Sequence, residues 1–258
     1  HKNGVAVIQE VVNLLLMGGH IGRPGAGVCP VRGHSNVQGD RTVGIWEAPS
    51  ESFLEKMEQG LQFELPRKHG YDVVHSIHAM ENGAVDVLIC MGGNFLSATP
   101  DTPRTAKAIQ SVGLTVQIST KLNRSHLVTG DTALILPVLG RTELDVQQSG
   151  EQFVTVENSM GVVHRSKGNL KPASSRLMSE PALVAQLGKL LCPDMLDWVS
   201  CIDNYDTIRD IMSNALIGFE NYNQRVREPS GFLLPNPPRD SCEFSTPTSK
   251  ASFTVHPL

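Results

Sequence analysis

Three short apolar segments between residues 85 and 138 constrain the fold of this chain most. Val85 to Met91 (VDVLICM) is flanked by glycine, Leu114 to Ile118 follows a predicted helix from Thr102 to Val112, and Ala133 to Val138 completes the series. Short apolar runs of this kind are typical of buried parallel strands. A strand, a helix and a second strand with short connections form a βαβ unit with a right-handed crossover. The pattern therefore predicts an α/β fold, a parallel sheet flanked by helices.

Three polar loops follow the predicted strands, with the sequences MGGNFLSATPD, STKLNRSHL and PVLGRTE. Ligands of open parallel sheets bind outside the carboxyl ends of the strands, so these loops should share one rim. Glycine allows the backbone to approach a ligand closely, which favours contacts at Gly92 and Gly93. Donors and acceptors for a polar ligand would come from Asn94, Ser119, Thr120, Lys121 and Asn123.

The remaining pattern predicts mainly helices. Before the sheet these are Val5 to Met17, ended by Gly18 and Gly19, a helix capped by Ser50, and Tyr71 to Asn82. Beyond about Ser149 the pattern is looser, and a mostly helical and irregular part is expected. Its predicted elements are a strand at Phe153 to Val156, helices at Pro181 to Leu191 and Tyr205 to Ala215, an extended segment at Pro235 to Ser241, and a short strand at Lys250 to Val255.

Composition excludes several classes of function. A net charge of −4 and a pI near 6.1 argue against a general nucleic-acid-binding protein, which needs a basic face. The chain lacks an apolar run of about 18 residues, so no membrane segment is expected. Its five cysteines include no C-x-x-C pair, which argues against a zinc or iron–sulfur site in this chain, and their odd number fits a reducing cytoplasm.

A glycine-rich segment from Gly19 to Gly44 (GHIGRPGAGVCPVRGHSNVQGDRTVG) is predicted to be a long functional loop. Its arginines suit an anion such as phosphate, and its exposed backbone N–H groups would add donors. The amide side chains of Asn36 and Gln38 could read the edge of a heterocycle. A plain turn-rich linker is the alternative on composition alone.

Val11 to Gly39, VVNLLLMGGHIGRPGAGVCPVRGHSNVQG, resembles the central part of the catalytic subunit of molybdopterin oxidoreductases. Formate dehydrogenase alpha subunits and their formate-dehydrogenase-like homologues are the most similar group. MGGNFLSATPD and VQISTKLNRSH follow in the order expected for that family. The resemblance implies a two-electron oxidoreductase with a molybdenum or tungsten ion held by two molybdopterin guanine dinucleotides, each bound largely by a Rossmann-like α/β domain.

The resemblance also implies roles for individual residues. Arg32, in V-R-G, would be the catalytic residue that orients a substrate carboxylate, because a guanidinium donates two parallel hydrogen bonds. The strip along the pterin would comprise Gly33, His34, Asn36, Val37, Gln38 and Gly39. His34 stands where formate dehydrogenases more often have glutamine, which leaves formate open as the substrate.

For other parts of the dinucleotide site, the sequence matches the motifs of the resembled family less well. MGGN matches a family loop near the nucleotide, although Gly93 replaces an acidic residue and Phe95 a proline. STKLN matches a loop at the guanosine end, and Asn158 and Arg165 resemble a later family motif.

The metal ligand and any residues for a 4Fe-4S cluster are expected outside this chain. We therefore interpret the sequence as an internal fragment whose partners are the remainder of the same subunit, a small formate-like substrate and an electron-transfer protein. Residues 1–148 would form a Rossmann-like half-domain, and residues 149–258 a segment leading to a missing C-terminal domain. Alone, the chain should hold no molybdenum and catalyse nothing.

Two other hypotheses remain at this stage. The first is a stand-alone nucleotide-binding or regulatory module on an α/β scaffold, without catalysis. The second is an NAD- or thiamine-binding domain, disfavoured because no G-x-G-x-x-G follows a strand. The sequence also disfavours a metal site at His75 and His78, because no third ligand is suitably spaced. It likewise disfavours a nucleophile formed by Ser119 and His126, which have no triad context.

Overall fold

The computed structural model describes residues 2–33 and 36–256. These residues form two compact units. The first comprises His1–Val43, Thr155–His164 and Gln224–Leu258, and the second comprises Gly44–Val154 and Arg165–Asn223. The boundary predicted between residues 148 and 149 concerns the domains of a larger protein and stays a prediction.

The second unit contains the predicted parallel sheet. Its strands are β1 (Val87–Met91), β2 (Leu114–Ser119) and β3 (Thr132–Pro137), in the order β1-β2-β3. All pairings are parallel, and the register places Ile89 beside Val116 and Val116 beside Leu134. With helices on both faces, this arrangement confirms the predicted α/β fold.

The helices agree with most of the predicted spans. In chain order they are α1 (Gly4–Met17), α2 (Val37–Thr42), α3 (Glu51–Leu61), α4 (Val73–Glu81), α5 (Phe95–Ala98), α6 (Thr102–Gln110), α7 (Glu180–Leu191), α8 (Trp198–Asp203), α9 (Tyr205–Ala215), α10 (Tyr222–Arg225) and α11 (Pro237–Ser241), with a 3₁₀ helix at Arg124–Leu127.

Local capping explains where several helices begin and end. The Ser50 hydroxyl accepts the N–H of Phe53 at the start of α3, as predicted, and the Asp72 carboxylate accepts the N–H of His75 at the start of α4. Gly19, at φ 64°, adopts the left-handed conformation that ends α1.

Helices cover the sheet unevenly. On one face Ile77 and Met80 of α4 pack with Ala108, Val112 and the β1 residue Leu88. On the other face Leu183 of α7 packs against Val116, Ile118 and Val138. The same unit also holds the close packing of α3 on α9, where a Cβ added at Gly60 would lie 2.4 Å from the Ala215 Cα.

One face of β1 departs from the predicted burial. Val87, Ile89 and Met91 are 49%, 52% and 45% exposed, because β1 is an edge strand and Leu183 of α7 packs on β2 instead. On β3, the other edge strand, Leu134 and Ile135 are 47% and 45% exposed. The prediction of parallel strands is therefore confirmed, whereas that of buried strands is wrong for this face of β1 and for most of β3.

Short strands make up the other β-structure. They are β4 (Val146–Gln147) paired with β5 (Gly150–Glu151), and a sheet of β6 (Val154–Glu157), β7 (Val162–Ser166) and β8 (Phe232–Leu233). β6 agrees with the strand predicted at Phe153 to Val156. None of the helices in the described part of the chain is both long and apolar enough to cross a membrane.

Three local predictions are wrong. The loop predicted from Gly19 to Gly44 contains α2, and the segment predicted to be extended at Pro235 to Ser241 contains α11, capped by the Asn236 side chain on the N–H of Arg239. Lys250 to Val255 forms no strand, because the backbone of Thr254 pairs with the side chain of Asn13 instead, through bonds of 2.7 and 3.3 Å.

Candidate functional site

The loops after β1 and β2 form one cluster in the second unit. Because the strands are parallel, both loops leave the same edge of the sheet, as predicted. Gly92 and Gly93 have φ angles of 66° and 71°, which other residues rarely adopt. A Cβ added at either glycine would meet no atom within 4 Å, so open space adjoins this backbone.

The two loops are joined by side chains. The Asn123 amide donates to the carbonyl of Gly93 at 2.7 Å, and its oxygen accepts the N–H of Ser125 at 2.9 Å. Ser125 in turn donates to Asn94 Oδ1 at 2.8 Å and accepts the N–H of Leu96 at 3.1 Å. Sequence reasoning missed Ser125, a buried serine whose only sequence signal is its place within the STKLNRSHL loop.

The segment between β2 and the 3₁₀ helix presents polar groups to solvent. Thr120 and Lys121 are exposed, and the Ser119 hydroxyl donates to the Lys121 carbonyl at 2.8 Å. His126 is buried, and its Nδ1 accepts the N–H of Asn123 at 3.0 Å. Ser119 and His126 therefore have separate hydrogen-bond partners.

The loop after β3 is fixed within the same unit. The Glu143 carboxylate accepts the N–H of Gly140 at 2.7 Å and the N–H of Ala173 at 3.1 Å. Arg141 donates to the Ser166 hydroxyl at 3.0 Å. The loop's carboxylate and guanidinium thus hold neighbouring segments of the chain.

The first unit contains the predicted pterin strip. Arg32 and Gly33 are exposed, and a Cβ added at Gly33 would meet no atom within 4 Å. Val37, Gln38 and Gly39 lie on α2, with Asn36 just before it. His34, the remaining predicted residue of the strip, lies outside the described residues.

A hydrogen bond fastens this strip to β6. Asn36 Oδ1 accepts the backbone N–H of Glu157 at 2.9 Å, and Asn36 Nδ2 lies 3.4 Å from Asp40 Oδ1. A Cβ added at Gly39 would lie 2.2 Å from Asn36 Oδ1, so glycine at this position makes room for the asparagine side chain.

Glu157 is the last residue of β6, and its backbone N–H bonds to Asn36 of the predicted pterin strip. The sequence analysis did not identify this glutamate as a site residue. The residue is only 4% exposed, and burial raises the pKa of its carboxyl. Hydrogen bonds from the side chains of Thr42 and Gln38 oppose that rise in pKa, as does the positive charge of Arg32. Its position next to the Asn158 motif was the only available sequence signal.

The two residues of the later family motif, Asn158 and Arg165, belong to different units. Asn158, in the first unit, is exposed, and its side-chain oxygen accepts the N–H groups of Met160 and Val162 at 2.9 and 3.1 Å. This bonding shapes the turn between β6 and β7. Arg165 is exposed on β7 in the second unit. Cofactor contacts of both residues stay predictions.

His75 and His78 of α4 are both exposed. His75 Nδ1 lies 2.8 Å from Asp72 Oδ1, and its side chain is exposed. Within residues 2–33 and 36–256, no group of three or more His, Cys, Asp or Glu side chains is arranged to hold a metal ion. The five cysteines are free thiols.

Several much longer proteins contain a region whose sequence is similar to this chain. No family model matches the chain. The chain is 54% identical, over 260 residues and its whole length, to uncharacterized oxidoreductase Rv2900c of Mycobacterium tuberculosis, and 47% identical, over 98% of its length, to protein YdeP of Escherichia coli. It spans 33% of each of these proteins, that is, about a third of their length. Putative formate dehydrogenase YrhE of Bacillus subtilis is 34% identical over 100 residues, which are 36% of the chain and 10% of YrhE.

Proposed function

We propose that this chain is the cofactor-binding part of an oxidoreductase of the formate-dehydrogenase-like, molybdopterin-dependent kind. The complete protein would carry out a two-electron oxidation or reduction at the metal. The similarity to the oxidoreductase Rv2900c and the partial similarity to YrhE support the oxidoreductase class. The motif from Val11 to Gly39 supports the finer assignment.

The observation that carries the proposal is the joining of the two strand-end loops through Asn123 and Gly93. Open glycine backbone, amide groups and the exposed Lys121 lie together at the carboxyl ends of the strands, and ligands of open parallel sheets generally bind at those ends. These groups fit the phosphates and base of a dinucleotide, because N–H donors and one cation suit phosphate, and amides pair with a heterocycle edge.

The strip in the first unit fits a pterin in a similar way. Asn36 and Gln38 offer amide groups, and the exposed Arg32 offers a guanidinium for an anionic substrate. When bound, the molybdenum cofactor would supply the two-electron redox chemistry. Arg32 would bind and orient the substrate carboxylate, while Asn94, Ser119, Thr120, Lys121 and Asn123 would hold the nucleotide.

Metal and nucleotide analysis of the complete protein tests this proposal. We expect molybdenum or tungsten in stoichiometric amount, and acid hydrolysis should release two guanine nucleotides per metal. Guanine nucleotide without metal or pterin would contradict the proposal and support the stand-alone nucleotide-binding module. Stoichiometric molybdenum in the 258-residue chain alone would contradict the expectation that the metal ligand lies elsewhere.

A further inference from the structure

The glycine-rich loop after α1 borders a groove that has no role in the site described above. Its volume is about 610 Å³, and it is lined by Leu15 of α1 and by loop residues that include His20, Arg23, Gly25 and Gly27. Pockets for small molecules usually measure about 300–1,000 Å³, so this groove has room for more than a single ion. All of these residues belong to the first unit.

Arg23 brings a positive charge to this groove. Its side chain is exposed, and its Nη2 donates to His20 Nδ1 at 2.8 Å. Among the described residues, no carboxylate forms an ion pair with this guanidinium. Because a guanidinium has five N–H donors in a planar fork, most of them are left for a ligand.

The same contact determines which nitrogen of His20 carries a proton. A guanidinium can only donate, so Nδ1 accepts and the neutral ring has its N–H at Nε2. The ring lies against the backbone of Gly18, where an added Cβ would be 2.6 Å from His20 Cδ2 and 2.8 Å from its Nε2. The missing side chain at Gly18 therefore lets the imidazole lie beside Arg23.

The turn after Arg23 adds backbone donors. The N–H of Ala26 bonds to the Arg23 carbonyl at 3.1 Å, and Gly25, at φ 75°, takes the position of a type II turn that favours glycine. Within residues 2–33 and 36–256, the N–H groups of Gly25 and Gly27 have no hydrogen-bond partner. A Cβ added at Gly25 would meet no atom within 4 Å, so open space adjoins this backbone.

The end of α1 does not prevent an anion from binding here. A helix C-terminus carries a partial negative charge on its last carbonyls. In α1 these carbonyls accept the backbone N–H groups of the three residues that follow the helix. In the described part of the chain, no acidic side chain lines the groove. The charged group of the groove is therefore a cation.

We propose that this groove binds the phosphate group of a small phosphorylated molecule, through Arg23, His20 and the N–H groups of Gly25 and Gly27. Donors from four residues exceed what the two oxygens of a carboxylate need, whereas they suit the three free oxygens of a phosphate ester. The rest of the groove accommodates the organic part of the molecule. None of these residues is among those assigned above to the dinucleotide or the substrate, and binding here does not require the proposed function.

Calorimetric titration of the complete protein with glycerol phosphate, in a chloride buffer free of phosphate, tests this site. Arg23→Gln should weaken binding about tenfold or more, because charge-assisted hydrogen bonds are lost. Arg23→Lys keeps the charge without the planar fork and should bind with intermediate affinity. Arg176→Gln, which alters another exposed arginine, is the control and should bind like the wild type. Equal affinities of Arg23→Gln and the wild type would overturn the proposal.

Gly18→Ala gives a second test that leaves Arg23 in place. Gly18 has an ordinary helical φ of −76°, so alanine strains no backbone there, but its Cβ would displace the imidazole of His20. Affinity for glycerol phosphate should fall about threefold, as expected for the loss of one neutral hydrogen bond. Gly70→Ala, whose Cβ would lie 3.6 Å from the Glu47 Cα, is the control. Unchanged affinity in Gly18→Ala would contradict the role given to His20.

Two further probes define the class of ligand. Inorganic phosphate should bind more weakly than glycerol phosphate, because it leaves most of the groove empty, and equal affinities would contradict an ester as the ligand. Acetate should bind more weakly than either phosphate compound. Acetate binding as tight as that of glycerol phosphate, or no binding of glycerol phosphate to the wild type, would show that the groove is not a phosphate site.

Discussion

The side chain of Asn123 donates a hydrogen bond to the carbonyl of Gly93, 2.7 Å away and thirty residues earlier in the chain. The bond joins the loops that follow two neighbouring parallel strands. The same asparagine caps the 3₁₀ helix, so one side chain fixes both the position and the local shape of the candidate nucleotide site.

Asn123→Ala should destabilise the second unit by about 1–2 kcal/mol, because it removes a loop-joining bond and a capping bond. Urea unfolding measures the change. Asn82→Ala, at an exposed helix end in the same unit, serves as the control and should have a much smaller effect. Equal losses in the two variants would show that the bond to Gly93 is unimportant.

Arg32→Lys should lower turnover of the complete enzyme more than its cofactor content. Lysine keeps the positive charge but cannot donate the paired hydrogen bonds of a guanidinium. A loss of about tenfold or more in kcat/KM, at equal molybdenum content, is expected. Arg176→Lys, an exposed arginine, is the matched control. Full activity in Arg32→Lys would show that Arg32 does not orient the substrate.

Glu157→Gln should become more stable relative to the wild type as the pH rises. Burial raises the pKa of Glu157 above its ordinary value of 4.5, so the folded state holds this proton more tightly than the unfolded chain. The resulting stabilisation is complete below pH 4.5 and is lost as the pH rises through the folded-state pKa. Glutamine does not titrate and avoids this loss.

Unfolding of both proteins at a series of pH values measures this difference. Glu243→Gln reports the effect of removing an exposed carboxyl alone. A stability difference between Glu157→Gln and the wild type that does not change with pH would mean that the Glu157 carboxyl titrates alike in both states.

Gly60→Ala should destabilise the second unit despite the higher helix propensity of alanine. The new Cβ would lie 2.4 Å from the Ala215 Cα and 2.5 Å from the Asn214 carbonyl oxygen, so α3 and α9 would have to separate. Overpacking of this kind costs about 1–3 kcal/mol, more than the gain of about 1 kcal/mol in propensity. The Tm measured by thermal unfolding shows whether the packing cost or the gain in helix propensity is larger. Gln59→Ala, at an exposed position of the same helix, is the control. A rise in Tm for Gly60→Ala would contradict the close packing.

The sheet could be predicted because its signals are local. Each strand is a short apolar run next to glycine, and α6, the longer of the two helices between β1 and β2, has its own cap at Asp101. The loops at the strand ends follow from the parallel topology alone. Burial of β1 and β3 could not be predicted, because it depends on which helices cover each face of the sheet.

Two further features depend on contacts between distant parts of the chain. Thr254 pairs with the side chain of Asn13, 241 residues earlier, and no local pattern near Thr254 indicates this partner. Glu157 could not be recognised for the same reason, since its burial results from α2 packing onto β6. Polar residues whose partners lie far along the chain are the ones that sequence patterns miss.

The half-exposed apolar face of β1 should affect how the isolated chain behaves in concentrated solution. An edge strand with unpaired backbone groups and an apolar face offers a template on which other strands can add. Concentrated samples of the isolated chain should therefore self-associate through Val87, Ile89 and Met91, and the apparent melting temperature should rise with concentration by mass action. A charged substitution such as Ile89→Lys should keep such samples monomeric.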